Sequence, residues 1–312
     1  MQMDFTIIIP AKNEEKYISM CLDSINAMDT EGLTFEVIVV DNGSTDKTVS
    51  IAKAKGATVF EKPDLTISAL RNFGATQAAG DILAFLDADC TVDNKWLKNA
   101  LVYKDQNEVV SFGSPAVIPE NATWVQTSWF AIREKKCQIQ EVNWHESANV
   151  FVLKKAFEEV GGFDETLITC EDYDLSARLK KIGRLLCDNR IVAVHHREPA
   201  TVGDFFRKEK WRGKSNLSGV MSHGLQWNEM PSLILPFIHC LFALSFMLCV
   251  IALFVNGKEC LHYAIIIFLI WQSPFMVLAC YKNRSVRPVY VFQLYLLINV
   301  YFFARGLAVF RL

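Results

Sequence analysis

Asp81-Ile82-Leu83-Ala84-Phe85-Leu86-Asp87-Ala88-Asp89 is the stretch on which the reading of this 312-residue chain turns. Ile82 to Leu86 is an unbroken apolar run, the pattern of a strand buried on both faces, and it stops abruptly at two carboxylates. Side chains two apart on an extended chain point to the same side. Asp87 and Asp89 are therefore expected to project together from the strand's carboxyl end. Carboxylates that close repel each other unless a cation sits between them. Hard oxygen ligands of this kind suit Mg²⁺ or Mn²⁺, and such ions usually arrive with a substrate's phosphates. An Asp-x-Asp after a strand also occurs as a plain acidic loop, so the flanking segments have to decide.

Upstream, Phe5 to Pro10 is a short β-branched run predicted to be the first strand. Ala11 to Glu15 leads from it into a helix carrying Ile18, Leu22 and Ile25 on one face. Phe35 to Val40 is a second strand, running into Asp41-Asn42-Gly43-Ser44-Thr45-Asp46. A helix over about 46–55 is expected there, capped by Ser44, Thr45 or Asp46. Thr58 to Phe60 is a third strand, and Ile67 to Ala79 a helix bearing Arg71 and ending at Gly80. Strands alternating with helices at this pace indicate an α/β architecture with a mainly parallel sheet. Ligands of such sheets sit beyond the carboxyl ends of the strands, where Asp41 and Asp87 both fall.

Downstream, Trp96 to Tyr103 is predicted as a helix, Val109 to Phe112 as a strand, and 123–140 as an aromatic-rich amphipathic helix. Asn149 to Leu153 follows as a strand and Lys154 to Val160 as a helix. Gly161-Gly162-Phe163-Asp164 is a turn. Glu171-Asp172-Tyr173-Asp174 opens another helix, with Leu175, Leu179 and Ile182 as its buried stripe. Acids in a first helical turn are favoured by the helix dipole, which alone would account for all three. Ile191 to Val194 leads as a strand into His195-His196. The run 201–223 mixes Arg207, Lys208, Lys210, Arg212 and Lys214 with Phe205, Phe206 and Trp211, which suits a helix on a membrane surface or over anionic phosphates.

The tail is a different material. Ser232 to Val255, Leu261 to Tyr281 and Val289 to Phe310 are each about 20 residues or slightly more, enough to cross the roughly 30 Å hydrocarbon core. Pro236 and Pro274 are tolerable kinks, and Arg305 lies near an end where it can snorkel. Lys282, Arg284 and Arg287 mark their loop as cytoplasmic by the positive-inside rule, and three crossings then put 1–230 on the same side. Glu259 is the single acid among 231–312 against six Lys or Arg, which leaves the remainder acidic and argues against nucleic acid as a partner. The nine cysteines show no paired spacing, consistent with reduced thiols facing the cytosol. Met1 to Asp4 lacks a basic region, so no signal peptide is expected. The organisation read from this is a cytoplasmic catalytic domain over 1–225, including the amphipathic segment, and a membrane domain over 231–312, in the cell's inner membrane.

Four motifs in order carry a resemblance: Ile7 to Glu15, Val39 to Asp46, Asp87-Ala88-Asp89, and Gly161 to Asp164 followed by Glu171-Asp172. Across about 5–200 the chain resembles a family 2 glycosyltransferase, an inverting enzyme with a GT-A nucleotide-diphospho-sugar transferase fold. The resemblance implies that Pro10, Asn13 and Glu14 line the nucleotide pocket and that Asp41 bonds the base. It further implies Arg71 at the base or phosphate, Asp87 at the ribose or metal, Asp89 at the metal, and Asp172 as general base beside Glu171. His195 or His196 would supply a further metal or diphosphate contact. The processive members carry Gln-x-x-Arg-Trp after the base, whereas here Phe206 to Lys214 reads Phe-Arg-Lys-Glu-Lys-Trp-Arg-Gly-Lys, which favours adding one sugar.

The expected function is transfer of a single sugar from a nucleotide-diphosphate sugar to a hydroxyl of a lipid-linked or glycan acceptor. A diphosphate leaving group needs cations, and a hydroxyl needs a carboxylate to take its proton. A polyprenyl-phosphate sugar synthase is the alternative, because a phosphate acceptor is already ionised. A catalytically idle membrane scaffold is the third reading. No Gly-x-Gly-x-x-Gly follows the first strand, against a dinucleotide dehydrogenase.

Overall fold

A computed structural model of the chain describes residues 3–106, 108–132, 139–167, 169–213, 230–256, 261–282 and 288–308. They fall into two compact units, one of Met1–Glu120 with Lys135–Glu198, the other of Asn121–Glu134 with Pro199–Leu312.

The first unit is built on an eight-stranded sheet. Its apolar runs become β1 (Met3–Ala11), β2 (Phe35–Asp41), β3 (Thr58–Glu61) and β4 (Gly80–Leu86). A short β5 (Cys90–Val92) follows, then β6 (Val109–Gly113), β7 (Ile139–Glu141), β8 (Asn149–Leu153), β9 (Arg184–Asp188) and β10 (Ala193–His195). The order is β3-β2-β1-β4-β8-β6-β9-β7, while β5 and β10 form a separate antiparallel pair. β1 runs parallel to β2 and β4, and β2 to β3, whereas β8 is antiparallel to β4 and β6. This is the mainly parallel, helix-flanked sheet of a GT-A fold.

Alternation along the central strands divides the core. Phe5, Ile7, Ile9, Ile82, Ala84 and Leu86 face one layer, with Ile18, Leu22 and Ile25 of α1 (Ile18–Asn26) and Trp96 of α4 (Trp96–Leu101). α2 (Thr48–Ala54) adds Ala52 to that layer. Ile8, Leu83 and Phe85 face the other layer. There they meet Ala75 of α3 (Ile67–Gln77), Phe157 of α6 (Lys154–Glu159), and Leu175 and Leu179 of α7 (Glu171–Leu179). Period-two side chains on a doubly covered sheet produce this split.

Several sequence expectations change in detail. Gly80 opens β4 instead of ending the helix, and a Cβ there would lie 2.4 Å from the Phe5 carbonyl carbon. The helix after β2 starts at Thr48 with no side-chain cap at Lys47. Ser44 and Thr45 are taken by Asp41 and Asn13, and Asp46 Oδ1 accepts from the Thr48 amide at 2.9 Å. The helix foreseen over 123–140 is α5 (Trp124–Ala131), and Ile139 to Glu141 is a strand against β9. Ile182 lies past the end of α7 and is exposed, so it is not part of the buried stripe.

The second unit holds α5, α8 (Val202–Gly213) and three long helices, α9 (Met230–Asn256), α10 (Leu261–Lys282) and α11 (Pro288–Ala308). The last three are long and apolar enough to cross a membrane. Their outward residues, such as Leu241, Leu248, Phe254 and Val277, form an apolar exterior suited to hydrocarbon. Inside, Trp271 Nε1 donates to His239 Nδ1 at 3.0 Å and Tyr295 donates to Gln272 Oε1 at 2.6 Å, bonding α9 to α10 and α10 to α11. Trp129 of α5 packs on Phe205 and Tyr301, so the aromatic run there is core.

Arg305 is held rather than snorkelling freely. Its Nε and Nη2 lie 3.0 and 2.9 Å from Oε2 of Glu209, a fully buried acid on α8 whose other oxygen accepts from Arg212 at 2.8 Å. Removing one partner of a buried pair leaves an uncompensated charge. Glu209→Ala is therefore expected to lower stability by about 3–5 kcal/mol in detergent, with Glu209→Met plus Arg305→Met recovering most of it. Thermal unfolding of the three variants checks this. On the same helix Arg207 is exposed and bonded to Asp204, and Trp211 is exposed. Lys214, Arg284 and Arg287 lie outside the described residues.

Candidate active site

The carboxyl ends of β1, β2 and β4 share one edge, because the parallel register sets Ala11 beside Asp41 and Ile8 beside Phe85. The loops leaving β1 and β2 are laced together there. Asn13 adopts a left-handed backbone (φ +55°), which asparagine tolerates better than most residues. Its amide donates to Ser44 Oγ at 2.8 Å and its side-chain oxygen accepts from the Thr45 amide at 2.9 Å. The Glu14 amide donates to Thr48 Oγ1 at 2.7 Å. Asp41 is buried, with both oxygens accepting from Ser44, one from its amide and one from its hydroxyl. Pro10 is buried one residue short of the end of β1.

Glu14 reaches from this loop toward the acids after β4. Its Oε1 accepts from Arg197 Nη1 at 2.7 Å, and its Oε2 is buried without a hydrogen-bond partner. Burial, reinforced by Asp89 and Asp87, pushes its carboxyl up to about 6 against the opposing pull of Arg197.

Arg71 joins the two halves of the site. Fully buried on α3, it donates from Nη2 to Asp87 Oδ1 at 3.0 Å and from Nη1 to Glu171 Oε1 at 2.9 Å, and its guanidinium lies over the Phe163 ring. The first carboxylate after β4 and the first turn of α7 are thus clamped by one cation. That turn begins at Cys170 in the left-handed region (φ +68°), a conformation that non-glycine residues enter at a cost. Next to Glu171, Asp172 is half-buried, and its Oδ1 accepts from the Tyr173 amide at 2.8 Å. Burial first, then the Glu171 and Glu146 carboxylates, push Asp172 up to about 7, outweighing the Tyr173 amide and Arg71. A carboxylate tuned to that range is suited to accept a proton at neutral pH.

Asp89 lies on the other side. His195 Nε2 is 3.1 Å from its Oδ1, and His195 Nδ1 is 3.2 Å from Glu198 Oε1. Burial opposes a charged imidazole, yet the two carboxylates hold His195 up to about 10. Asp89 Oδ1, His195 Nε2 and Cys90 Sγ converge closely enough to hold one cation. Burial keeps the Cys90 thiol protonated, and a soft sulfur suits Mg²⁺ and Mn²⁺ poorly, so the useful donors are the Asp89 carboxylate and, once an ion displaces its Nε2 proton, the His195 imidazole. That pair suits a Mn²⁺-type ion, which would take its remaining ligands from oxygen donors outside this cluster. Asp87 is engaged by Arg71, and His196 turns to Thr91 Oγ1 at 2.9 Å.

Of the residues singled out from sequence, Glu14, Arg71, Asp87, Asp89, Glu171, Asp172 and His195 are brought together. Arg207, Trp211 and Arg212 belong to α8 of the second unit. Sequence reasoning missed Arg197 and Glu198. The available signal was the run His195-His196-Arg197-Glu198, four polar residues closing a short apolar strand.

The model of the family described as "Glycosyl transferase family 2" matches residues 6–162. Glycosyltransferase AglE of Haloferax volcanii is 29% identical over 223 residues, covering 68% of this chain and 72% of that protein. The pre-mycofactocin glycosyltransferase of Mycobacterium tuberculosis is 26% identical over 234 residues, 70% of this chain and 48% of its own length. This chain thus spans about half of that relative. Among solved structures, a mannosyltransferase from Pyrobaculum calidifontis in complex with GDP-Man and Mn²⁺ superposes with a TM-score of 0.62 at 15% identity. The match covers 98% of this chain and 87% of that one. With the motifs after β1, β2 and β4 at one sheet edge and the family's model matched across those three, the chain belongs to glycosyl transferase family 2.

Proposed function

We propose that the chain moves one sugar from a nucleotide-diphosphate sugar to a hydroxyl of a lipid-linked or glycan acceptor, with inversion, at the cytoplasmic face of a membrane. The observation that carries this reading is Asp172, raised into the neutral range and tied through Glu171 and Arg71 to the acid that ends β4. A base so placed takes the acceptor's proton as its oxygen bonds the anomeric carbon, while the bond from that carbon to the diphosphate breaks. Attack opposite the leaving group inverts the configuration. A bound divalent ion would supply neutralising charge for the departing diphosphate.

The chain's own residues prepare that event. Asp89 and His195 would hold the ion, which the Mn²⁺ in the structurally similar mannosyltransferase supports. Asn13 and Asp41 shape the loops expected to receive the nucleotide, and Arg71 keeps Asp87 and α7 in register. The 1–225 region would be the catalytic domain and 231–312 its membrane anchor, with the basic residues of α8 near the headgroups.

The raised Asp172 favours a hydroxyl acceptor over a polyprenyl phosphate, which needs no base. Purified full-length protein in detergent, screened against GDP-, UDP- and dTDP-sugars by thermal shift, tests the reading. One donor should stabilise it with Mn²⁺ present and much less without. Equal, metal-independent melting with every donor contradicts it.

A further inference from the structure

Next to Asp172 lies a surface that the donor chemistry does not use. The segment linking β7 to β8 crosses the first turns of α7, where the His145 amide donates to Ser176 Oγ at 3.1 Å. Just before it, Trp144 is 39% exposed. Its ring centroid is 6.5 Å from that of Tyr173, with the planes at 56°. Tyr173 is the residue after Asp172 and its amide donates to Asp172 Oδ1 at 2.8 Å, so this ring pair is attached one residue from the proposed base. Glu146, two residues beyond Trp144, is near enough for its charge to act on Asp172. An exposed tryptophan alone is unremarkable. An aromatic pair one residue from that acid, with a second carboxylate within electrostatic reach of it, has a definite chemistry.

Three chemical facts select the ligand. A pyranose has one face of C–H bonds that packs on an aromatic ring, while its rim of hydroxyls needs acceptors. The donor side of the site is occupied by the loops after β1, β2 and β4, which leaves the α7 side for the acceptor. Glu146, Glu171 and Asp172 make that side acidic, which disfavours an anionic phosphate.

Accordingly, we infer that Trp144 and Tyr173 form an acceptor subsite for a pyranose ring, with Glu146 accepting a hydrogen bond from one of its other hydroxyls. The acceptor is thus a saccharide, presented at the hydroxyl that Asp172 deprotonates. This inference rests on the transferase reading above.

The test uses the full chain in lipid nanodiscs, with a nucleotide sugar it consumes. The acceptor probes are methyl glucoside, methyl galactoside, methyl mannoside and methyl N-acetylglucosaminide. Trp144→Ala is expected to raise KM for the accepted glycoside about tenfold or more, because loss of an aromatic contact costs binding of this order. Trp144→Phe should lose less, and donor KM should stay within about twofold for both. Unchanged acceptor KM in both variants overturns the inference, as does a parallel rise in donor KM. So does a wild-type protein that glycosylates polyprenyl phosphate and none of the glycosides. Consumption of no nucleotide sugar by the wild type would instead bring down the transferase reading itself.

Discussion

Asp172→Asn should lower kcat about a thousandfold while leaving metal-dependent donor binding in place. General-base catalysis contributes on the order of 10²–10⁴, and the other raised carboxyl of the site, Glu14, is paired with Arg197 on the loop after β1. Glu171 is bonded to Arg71, and Asp87 is held by the same guanidinium. The pH profile carries the same signature. Only ionised Asp172 can accept a proton, and its carboxyl sits at about 7. Wild-type kcat/KM should therefore rise about tenfold per pH unit below that value and level off above it. The groups that set it are Glu171 and Glu146, which raise it, and Arg71 and the Tyr173 amide, which lower it.

Stability should move the opposite way. Because the folded pKa exceeds the unfolded one, protonated Asp172 is favoured in the fold, and that relative stability is lost as pH rises through about 7. Asp172→Asn removes the cost of a negative charge half-withdrawn from water beside the Glu171 and Glu146 carboxylates. Its melting temperature at pH 8 should equal or exceed that of the wild type, with the gain shrinking toward pH 5. A variant both inactive and destabilised at pH 8 would point to a structural role instead.

Asp89→Asn is expected to be as damaging for a different reason. It removes the carboxylate that faces His195, and with it the hard oxygen ligand of the proposed ion. Transfer should fall by about a hundredfold or more, and calorimetric titration with the donor should no longer respond to Mn²⁺. Chelation of the wild type should give the same loss, reversible on adding Mn²⁺. The contrast between the variants is the useful result: Asp172→Asn binds and does not transfer, whereas Asp89→Asn binds weakly. Full activity in both would remove the roles proposed for these two acids, whereas a wild type that binds no nucleotide sugar with or without Mn²⁺ in calorimetry would leave a membrane scaffold as the better description.

The central strands were legible because parallel strands buried on both faces read as continuous apolar runs. β1, β2 and β4 were found with their acidic ends, and the edge they share followed from topology alone. β5 and β7, three residues each, carry too little sequence to show a period. β9 was hidden because Ile182 continues the helical spacing of Leu175 and Leu179, masking the switch to a strand at Arg184. Gly80 looked like a helix stop, whereas its missing side chain is needed for close approach of β1 and β4.

In the site, Asp89, His195 and Asp172 were legible as residue types at motif positions. Their electrostatic state was not. It depends on pairs far apart in sequence, such as Glu14 with Arg197 and Arg71 with Glu171. Arg71 was expected against the nucleotide, and its burial between two carboxylates is a three-dimensional fact that no local pattern encodes. Glu209 was equally unforeseen, because its partner Arg305 lies on a helix 96 residues away.

The most direct measurement is the anomeric configuration of freshly formed product, followed by proton NMR during turnover with an α-linked nucleotide sugar. Asp172 acting as base opposite the departing diphosphate predicts a β-linked product from the first time point. An α-linked product, with configuration retained, would contradict the account.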